Sequence, residues 1–301
     1  MRRLIYVVVI LLALVPIGAG LLGRAIGPGV LHPVRLNFER LDETAQMLAR
    51  TGAVKADFTV EARDSIKLQG WKVRPPLANG DWVMLFHGVS DNRTGVLGHA
   101  EILLRRGYSV VMMDARAHGA SGGDMATYGW KERYDTVDVD DSLYSSERVN
   151  RLYALGVSMG AAIALQSAAV DSRIRGVIAE DPFADLREVS YDYAGLRFSP
   201  FLGRTLFRPA SIAAMDAVAR EGGFDPDEVS PEKAVAARPF PVLLICGTRD
   251  HTIPCRHAEQ IYRAARGPKE LWIVKGAEHA SALGHAPKEY EERVIRFLNT
   301  H

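Results

Sequence analysis

An apolar run passes straight into a glycine-flanked serine at Leu152-Tyr153-Ala154-Leu155-Gly156-Val157-Ser158-Met159-Gly160, and the small apolar segment Ala161-Ala162-Ile163-Ala164 follows. A strand that turns at once into a helix has little room at the bend, and two glycines let neighbouring backbone pack close there. In this strand–turn–helix setting G-x-S-x-G predicts Ser158 in strained φ/ψ with its hydroxyl held above a sheet. The N-terminus of the following helix adds positive potential. A plain small-residue start to a helix would explain the glycines but not the serine between them, so Ser158 is read as a nucleophile.

The surrounding chain alternates in the manner of a parallel sheet covered on both faces. Apolar strands are expected at Trp82–His87, Ser109–Asp114, Leu152–Gly156, Gly176–Glu180, Pro241–Cys246 and Glu270–Val274, with helical segments between them. A β-hairpin precedes them, Asp57–Glu61 with Ile66–Arg74, around Arg63-Asp64-Ser65. The alternation is interrupted over residues 182–238, where five prolines and several helical patches suggest an inserted cap. Its apolar residues, including Phe183, Tyr191, Phe198, Phe201 and Leu206, either build the cap's own core or face an apolar substrate.

A serine hydroxyl needs a base to take its proton and a carboxylate to orient that base. Asp250 stands just after one expected strand, in Gly247-Thr248-Arg249-Asp250, and His279 just after the next, in Gly276-Ala277-Glu278-His279. Both then lie at the same sheet edge as Ser158, where parallel sheets bind ligands. Asp181 and Asp185 compete for the acid, and His285 for the base. His251 reads as a solvated loop residue, and His87 and His118 as structural. An oxyanion hole needs two N–H donors, one of them from the residue directly after the nucleophile, Met159.

The chain resembles the α/β-hydrolase family of serine hydrolases over about residues 55–300. The segments that carry the resemblance are Phe86-His87-Gly88, Asp114-Ala115-Arg116-Ala117-His118-Gly119-Ala120-Ser121, Gly156–Gly160, Gly247–Pro254 and Gly276–His279. It implies an α/β-hydrolase fold: a mostly parallel sheet with helices on both faces and a helical cap. It also implies the chain order Ser158, Asp250, His279 for the triad, and Val89 as the second oxyanion donor. The resemblance also suggests a membrane-anchored subgroup with this short-cap layout. One departure is Ala117, where the family pattern has glycine. If that position needs φ > 0, Ala costs roughly 1 kcal/mol.

Arg2 and Arg3 precede an uncharged stretch from Leu4 to Gly23, close to the ~20 residues that cross a bilayer as a helix. Residues 1–27 are read as a single-pass anchor with a cytoplasmic N-terminus and the rest outside, or as a signal peptide cleaved near Gly18–Gly20. Residues 28–54 are a connector with a short amphipathic helix, and 55–301 the hydrolase domain. Gly18-Ala19-Gly20-Leu21-Leu22-Gly23 matches a dinucleotide fingerprint, but Pro16 and Gly27-Pro28-Gly29 deny it the strand and helix it needs. Asp91-Asn92-Arg93 reads as a solvated loop or a substrate contact.

With 37 basic and 36 acidic residues, the net charge of +1 offers no basic excess for nucleic acid. The histidines show no His-x-Glu-x-x-His spacing, so neither metal nor cofactor is expected. Cys246 reads as core; Cys255 is left free or paired. The expected activity is hydrolysis of an ester or thioester, including lipid-like ones. A peptidase or amidase, or a silent membrane-tethered binding protein, are the alternatives. The oligomeric state is left open.

Overall fold

The computed structural model describes residues 2–36, 39–196 and 198–301; for residues 2–16 and 200 only the backbone is considered. Eight strands form one sheet in the order β1-β2-β4-β3-β5-β6-β7-β8. The hairpin β1 (Val54–Glu61) and β2 (Lys67–Arg74) is antiparallel, and β2 joins β4 (Ser109–Met113) antiparallel. From β4 onward the sheet is parallel, through β3 (Trp82–Phe86), β5 (Leu152–Val157), β6 (Ile174–Glu180), β7 (Val242–Gly247) and β8 (Lys269–Val274). The strands β3, β4, β5 and β7 are buried along their whole length, which is why they read as continuous apolar runs rather than alternating ones.

Helices α1 (Arg2–Leu31) and α2 (Leu41–Thr51) precede the sheet. The crossovers are α3 (Leu97–Arg105), α4 (Glu132–Ser146) and α5 (Met159–Val170). The insertion contains α6 (Leu186–Gly195), α7 (Pro200–Arg204), α8 (Arg208–Gly222) and α9 (Pro231–Ala237). Beyond it come α10 (Arg256–Ala264), α11 (Ala282–His285) and α12 (Pro287–Thr300). Two apolar clusters fill the faces of the sheet. A third ties the cap to the body through Leu31, Phe183, Leu186, Met215, Val218 and Ile253.

That third cluster corrects the reading of the N-terminus. The Gly27-Pro28-Gly29 sequence does not end the helix, because α1 runs through it to Leu31. Its buried stripe, Gly23, Gly27 and Leu31, repeats every four residues and lies against α8. A Cβ at Gly23 would run into the Ala210 carbonyl, and one at Gly27 into the Ala214 carbonyl and the Ala217 methyl. Leu31 is fully buried. The glycines of the apparent dinucleotide fingerprint thus lie inside one helix, and Gly23 serves helix packing. The segment following α1 is equally tied down, with Arg35 donating to the carbonyls of Gly119, Ser121 and Gly123. Among the described residues no helix is long and apolar enough to cross a membrane. The expected span, Leu4–Gly23, falls largely on residues 4–16, whose side chains lie outside the described set.

Asp91-Asn92-Arg93 is not a solvated loop. Arg93 is buried and ion-paired with Asp114 and Glu39, and Asn92 caps the turn that follows. Ala117 does adopt a left-handed conformation, φ 61°, in the turn closed by its N–H to the Gly122 carbonyl. Replacing Ala117 by Gly is expected to stabilise the protein by roughly 0.5–1 kcal/mol, the strain relief exceeding glycine's entropic cost. Thermal melting of the two proteins checks this.

Cys246 and Cys255 form a disulfide across nine residues. The bridge closes the loop that carries Asp250, and by the chain-entropy argument it is worth about 2–3 kcal/mol.

Candidate active site

The register of the parallel strands brings their C-terminal ends level, with Phe86 of β3 paired to Gly156 of β5 and Gly156 to Ala179 of β6. Five loops leave from this edge and carry Val89, Ser158, Asp181, Asp250 and His279. Ser158 sits at φ 58°, ψ −120°, between β5 and α5. The flanking glycines are required by close approach. A Cβ at Gly156 would strike the Gly160 carbonyl, and one at Gly160 would strike the carbonyls of Phe86 and His87. The Ser158 N–H is anchored on the Glu180 carbonyl at 2.8 Å, which fixes the strained residue to the neighbouring strand.

Ser158, His279 and Asp250 form one hydrogen-bonded chain. His279 Nε2 lies 2.9 Å from Ser158 Oγ, and His279 Nδ1 lies 2.7 Å from Asp250 Oδ2. This assigns the proton of the neutral ring to Nδ1, leaving Nε2 to accept from the serine hydroxyl. The second oxygen of Asp250 accepts the N–H groups of Thr252 and Ile253, both at 2.8 Å, so the buried carboxylate cannot swing. Burial disfavours the charged form of His279, but the hydrogen bond and charge of Asp250 outweigh it. The imidazole pKa is raised above its ordinary 6.5.

The rival residues fall into other roles. Asp181 is buried beside the chain, with Oδ2 3.9 Å from His279 Nδ1, but it accepts the N–H groups of Gly247 and Ala280. Burial, with Glu180 and Asp250 nearby, pushes its pKa up to about 8. Asp185 caps α6 through the N–H groups of Arg187 and Glu188. His251 and His285 are exposed. His87 bridges the Gly88 carbonyl and the Ala115 N–H, and burial lowers its pKa. His118, buried against His87, is driven down to about 4 by the same cause. Both are neutral at pH 7 and structural. Asp181, Asp250 and His279 also bring three ligand-type atoms within 4.8 Å of one another. Both nitrogens of His279 are nevertheless already engaged by Asp250 and Ser158.

Met159 opens α5, so its N–H belongs to the first turn, where no intrahelical acceptor exists. Val89 and Met159 both line the cavity above Ser158. This cavity measures about 500 Å³. Its walls are mostly apolar: Phe183, Leu186 and Val189 from the cap side, Met215 from α8, and Ile26 and Val30 from α1.

Sequence reasoning missed two features of the site. One is the wall from α1, where the sequence reading offers an anchor or signal peptide and then a connector. The other is Glu180, a buried carboxylate that accepts from the Ala282 N–H at 3.0 Å and the Tyr290 hydroxyl at 2.9 Å. With Asp181 on Ala280, it pins the loop just beyond His279. Two acids closing a buried strand, Glu180-Asp181, were the available signal.

A central parallel sheet, a strained serine at a strand–helix elbow and a histidine–aspartate pair from later loops define an α/β-type hydrolase architecture. The chain belongs to the alpha/beta hydrolase family, whose match covers residues 83–293. It is similar to the uncharacterized protein YqkD of Bacillus subtilis (strain 168), 29% identical over 272 residues, covering 89% of this chain and 83% of that one. It is also similar to YfhR of Salmonella typhimurium, 30% identical over 259 residues and 83% of each chain. Among solved structures, the Pyrococcus furiosus esterase Pf2001 matches with a TM-score of 0.71 at 24% identity, over 90% of this chain and 98% of that one. An acylaminoacyl peptidase of Pyrococcus horikoshii matches at 0.62 and 17%, over 82% of this chain and 41% of that one. At these identities the two structures speak for the fold, and the chemistry rests on the site.

Proposed function

We propose that the chain is a membrane-tethered serine hydrolase that cleaves carboxylic esters or thioesters. The observation that carries this is the hydrogen-bonded chain from Ser158 through His279 to Asp250 at the floor of an apolar cavity. His279 Nε2 takes the hydroxyl proton as Ser158 Oγ bonds to the substrate carbonyl carbon. The resulting oxyanion is held by the N–H groups of Val89 and Met159. Asp250 keeps the tautomer and stabilises the imidazolium. The bond to the leaving oxygen or sulfur then breaks, and the imidazolium returns its proton to that atom. Water, deprotonated by the same His279, attacks the acyl-serine; the acid leaves and Ser158 recovers its proton.

The N-terminal uncharged stretch, flanked by Arg2, Arg3 and Arg24, supports a single pass with the catalytic domain outside the cytoplasm. The Cys246–Cys255 disulfide supports the same side, because such bridges persist in oxidising compartments. Signal cleavage near Gly18–Gly20 would instead leave a secreted enzyme that keeps Ile26 and Val30 in the cavity wall but loses the first half of α1.

The test is pre-steady-state hydrolysis of 4-nitrophenyl esters. A burst of one nitrophenolate per enzyme is expected, with kcat/KM rising with pH through a midpoint above 6.5, because only neutral His279 accepts the proton. The matching 4-nitroanilides are expected to be cleaved far more slowly. Faster cleavage of anilides than esters, or activity flat across pH 5–8, contradicts the proposal.

A further inference from the structure

The cap leaves unburied the residues that a cap core would hide. Phe198 is 69% exposed, Phe201 72% and Leu206 50%. On the outer face of α1, Ile17, Leu21, Leu22 and Ile26 are each more than half exposed. Isolated exposed apolar residues are ordinary, but a contiguous band of them on one side of a fold marks an interaction surface.

The two groups belong to one side of the molecule. Gly23 meets Ala213, Gly27 meets Ala217 and His32 meets Glu221, so α1 and α8 run parallel. That register sets Arg208, the first residue of α8, level with Gly18. Leu206, together with Phe207 and the ring of Phe198 packed at a tilt against it, therefore lies at the end of the cap where the first half of α1 extends past α8. The sequence of that half, Leu4–Ile17, carries no charge. Exposed Arg24 and Arg208 flank the band, placed as cations that anionic headgroups would meet.

The lining residues that are themselves exposed mark the cavity's mouth: Ile26, Gly29, His32 and Val34 along α1 and the segment after it, and Tyr193 from the cap. Ile26 belongs to the exposed face of α1. Tyr193 and Ala194 lie in the last turn of α6, a few residues before Leu196 and Phe198.

We propose that Leu196, Phe198, Phe201 and Leu206 of the cap tip seat in the surface of a phospholipid bilayer beside α1, and that the Ser158 cavity draws a long-chain acyl ester from that bilayer. The docking surface rests on the membrane-tethered reading, and the route of the substrate rests on the ester-hydrolase reading as well. The occupant is lipid rather than a protein partner because the band is continuous with an uncharged helix that extends past α8 at the same end. Apolar side chains sunk to the headgroup–acyl boundary gain burial that water denies them.

The experiment uses the full chain reconstituted in phosphatidylcholine–phosphatidylglycerol vesicles. In Phe201→Trp, the added fluorescence is expected to be quenched by lipids brominated in the upper acyl chain. In the triple variant Phe198→Ser, Phe201→Ser and Leu206→Ser, none of which lines the cavity, hydrolysis of soluble 4-nitrophenyl butyrate is expected to stay within about twofold. Its kcat/KM on vesicle-embedded 4-methylumbelliferyl oleate is expected to fall about tenfold or more. An unquenched tryptophan overturns the docking, and a concentration-dependent dimer in that case assigns the face to a second copy. Equal rates for the triple variant and the parent on both substrates overturn the route from the bilayer. A parent protein that cleaves neither ester overturns the hydrolase reading and leaves the quenching to decide the docking.

Discussion

Asp250→Asn is expected to lower kcat by about four orders of magnitude while leaving the fold intact. The asparagine amide would present either a donor or a poor acceptor to His279 Nδ1, and the ring would lose the tautomer that leaves Nε2 free for the serine proton. The fold survives because Asn Oδ1 still accepts from the Thr252 and Ile253 N–H groups. Asp181→Asn is expected to cost no more than about tenfold, since a carboxyl whose pKa is about 8 is largely uncharged at pH 7 and acts by holding Ala280. The sign of its effect on stability follows. Its folded pKa exceeds the unfolded value, so the folded state holds the extra proton and stability falls as pH rises toward 8. The asparagine variant lacks that slope. Turnover and thermal melting of both variants between pH 5 and 8.5 check these outcomes. Near-normal turnover in Asp250→Asn with loss in Asp181→Asn would reverse the assignment of the acid.

Gly27→Leu is expected to destabilise the protein by about 1–3 kcal/mol and to lower ester kcat/KM by roughly tenfold or more. The new side chain has no space, because the Ala214 carbonyl and the Ala217 methyl already touch the position. α1 must then lift away from α8, and Ile26 and Val30 leave the cavity wall with it. Gly20→Leu is the control. Nothing lies within 4 Å of a Cβ at Gly20, and leucine is the better helix former. Parallel melts and kinetics decide it: equal behaviour of the two variants would show that α1 is a tether and not part of the site.

Much of the candidate site was legible because each residue of the hydrogen-bonded chain sits in a short local pattern. Ser158 has two flanking glycines, and Asp250 and His279 each follow a strand by a few residues. Ala117 was legible for the same reason, since a turn that wants φ > 0 shows itself as a missing glycine. The failures are all long-range. Arg93 is paired with Asp114 and Glu39, partners 21 and 54 residues away that no window along the chain connects. Gly27-Pro28-Gly29 looked like a helix end because propensity says so. Burial of Gly23, Gly27 and Leu31 against a cap helix nearly two hundred residues later overrides that propensity. The cap aromatics split between core and surface, Phe183 and Tyr191 inward, Phe198 and Phe201 outward, and composition has no means of dividing them.

The most direct test of an activated serine is fluorophosphonate labelling of the full chain beside Ser158→Ala and His279→Ala. Stoichiometric labelling of the parent protein is expected, with none on Ser158→Ala and a rate slowed by orders of magnitude on His279→Ala. Labelling of Ser158→Ala at the parent rate, or no labelling of a well-folded parent protein, would contradict the account.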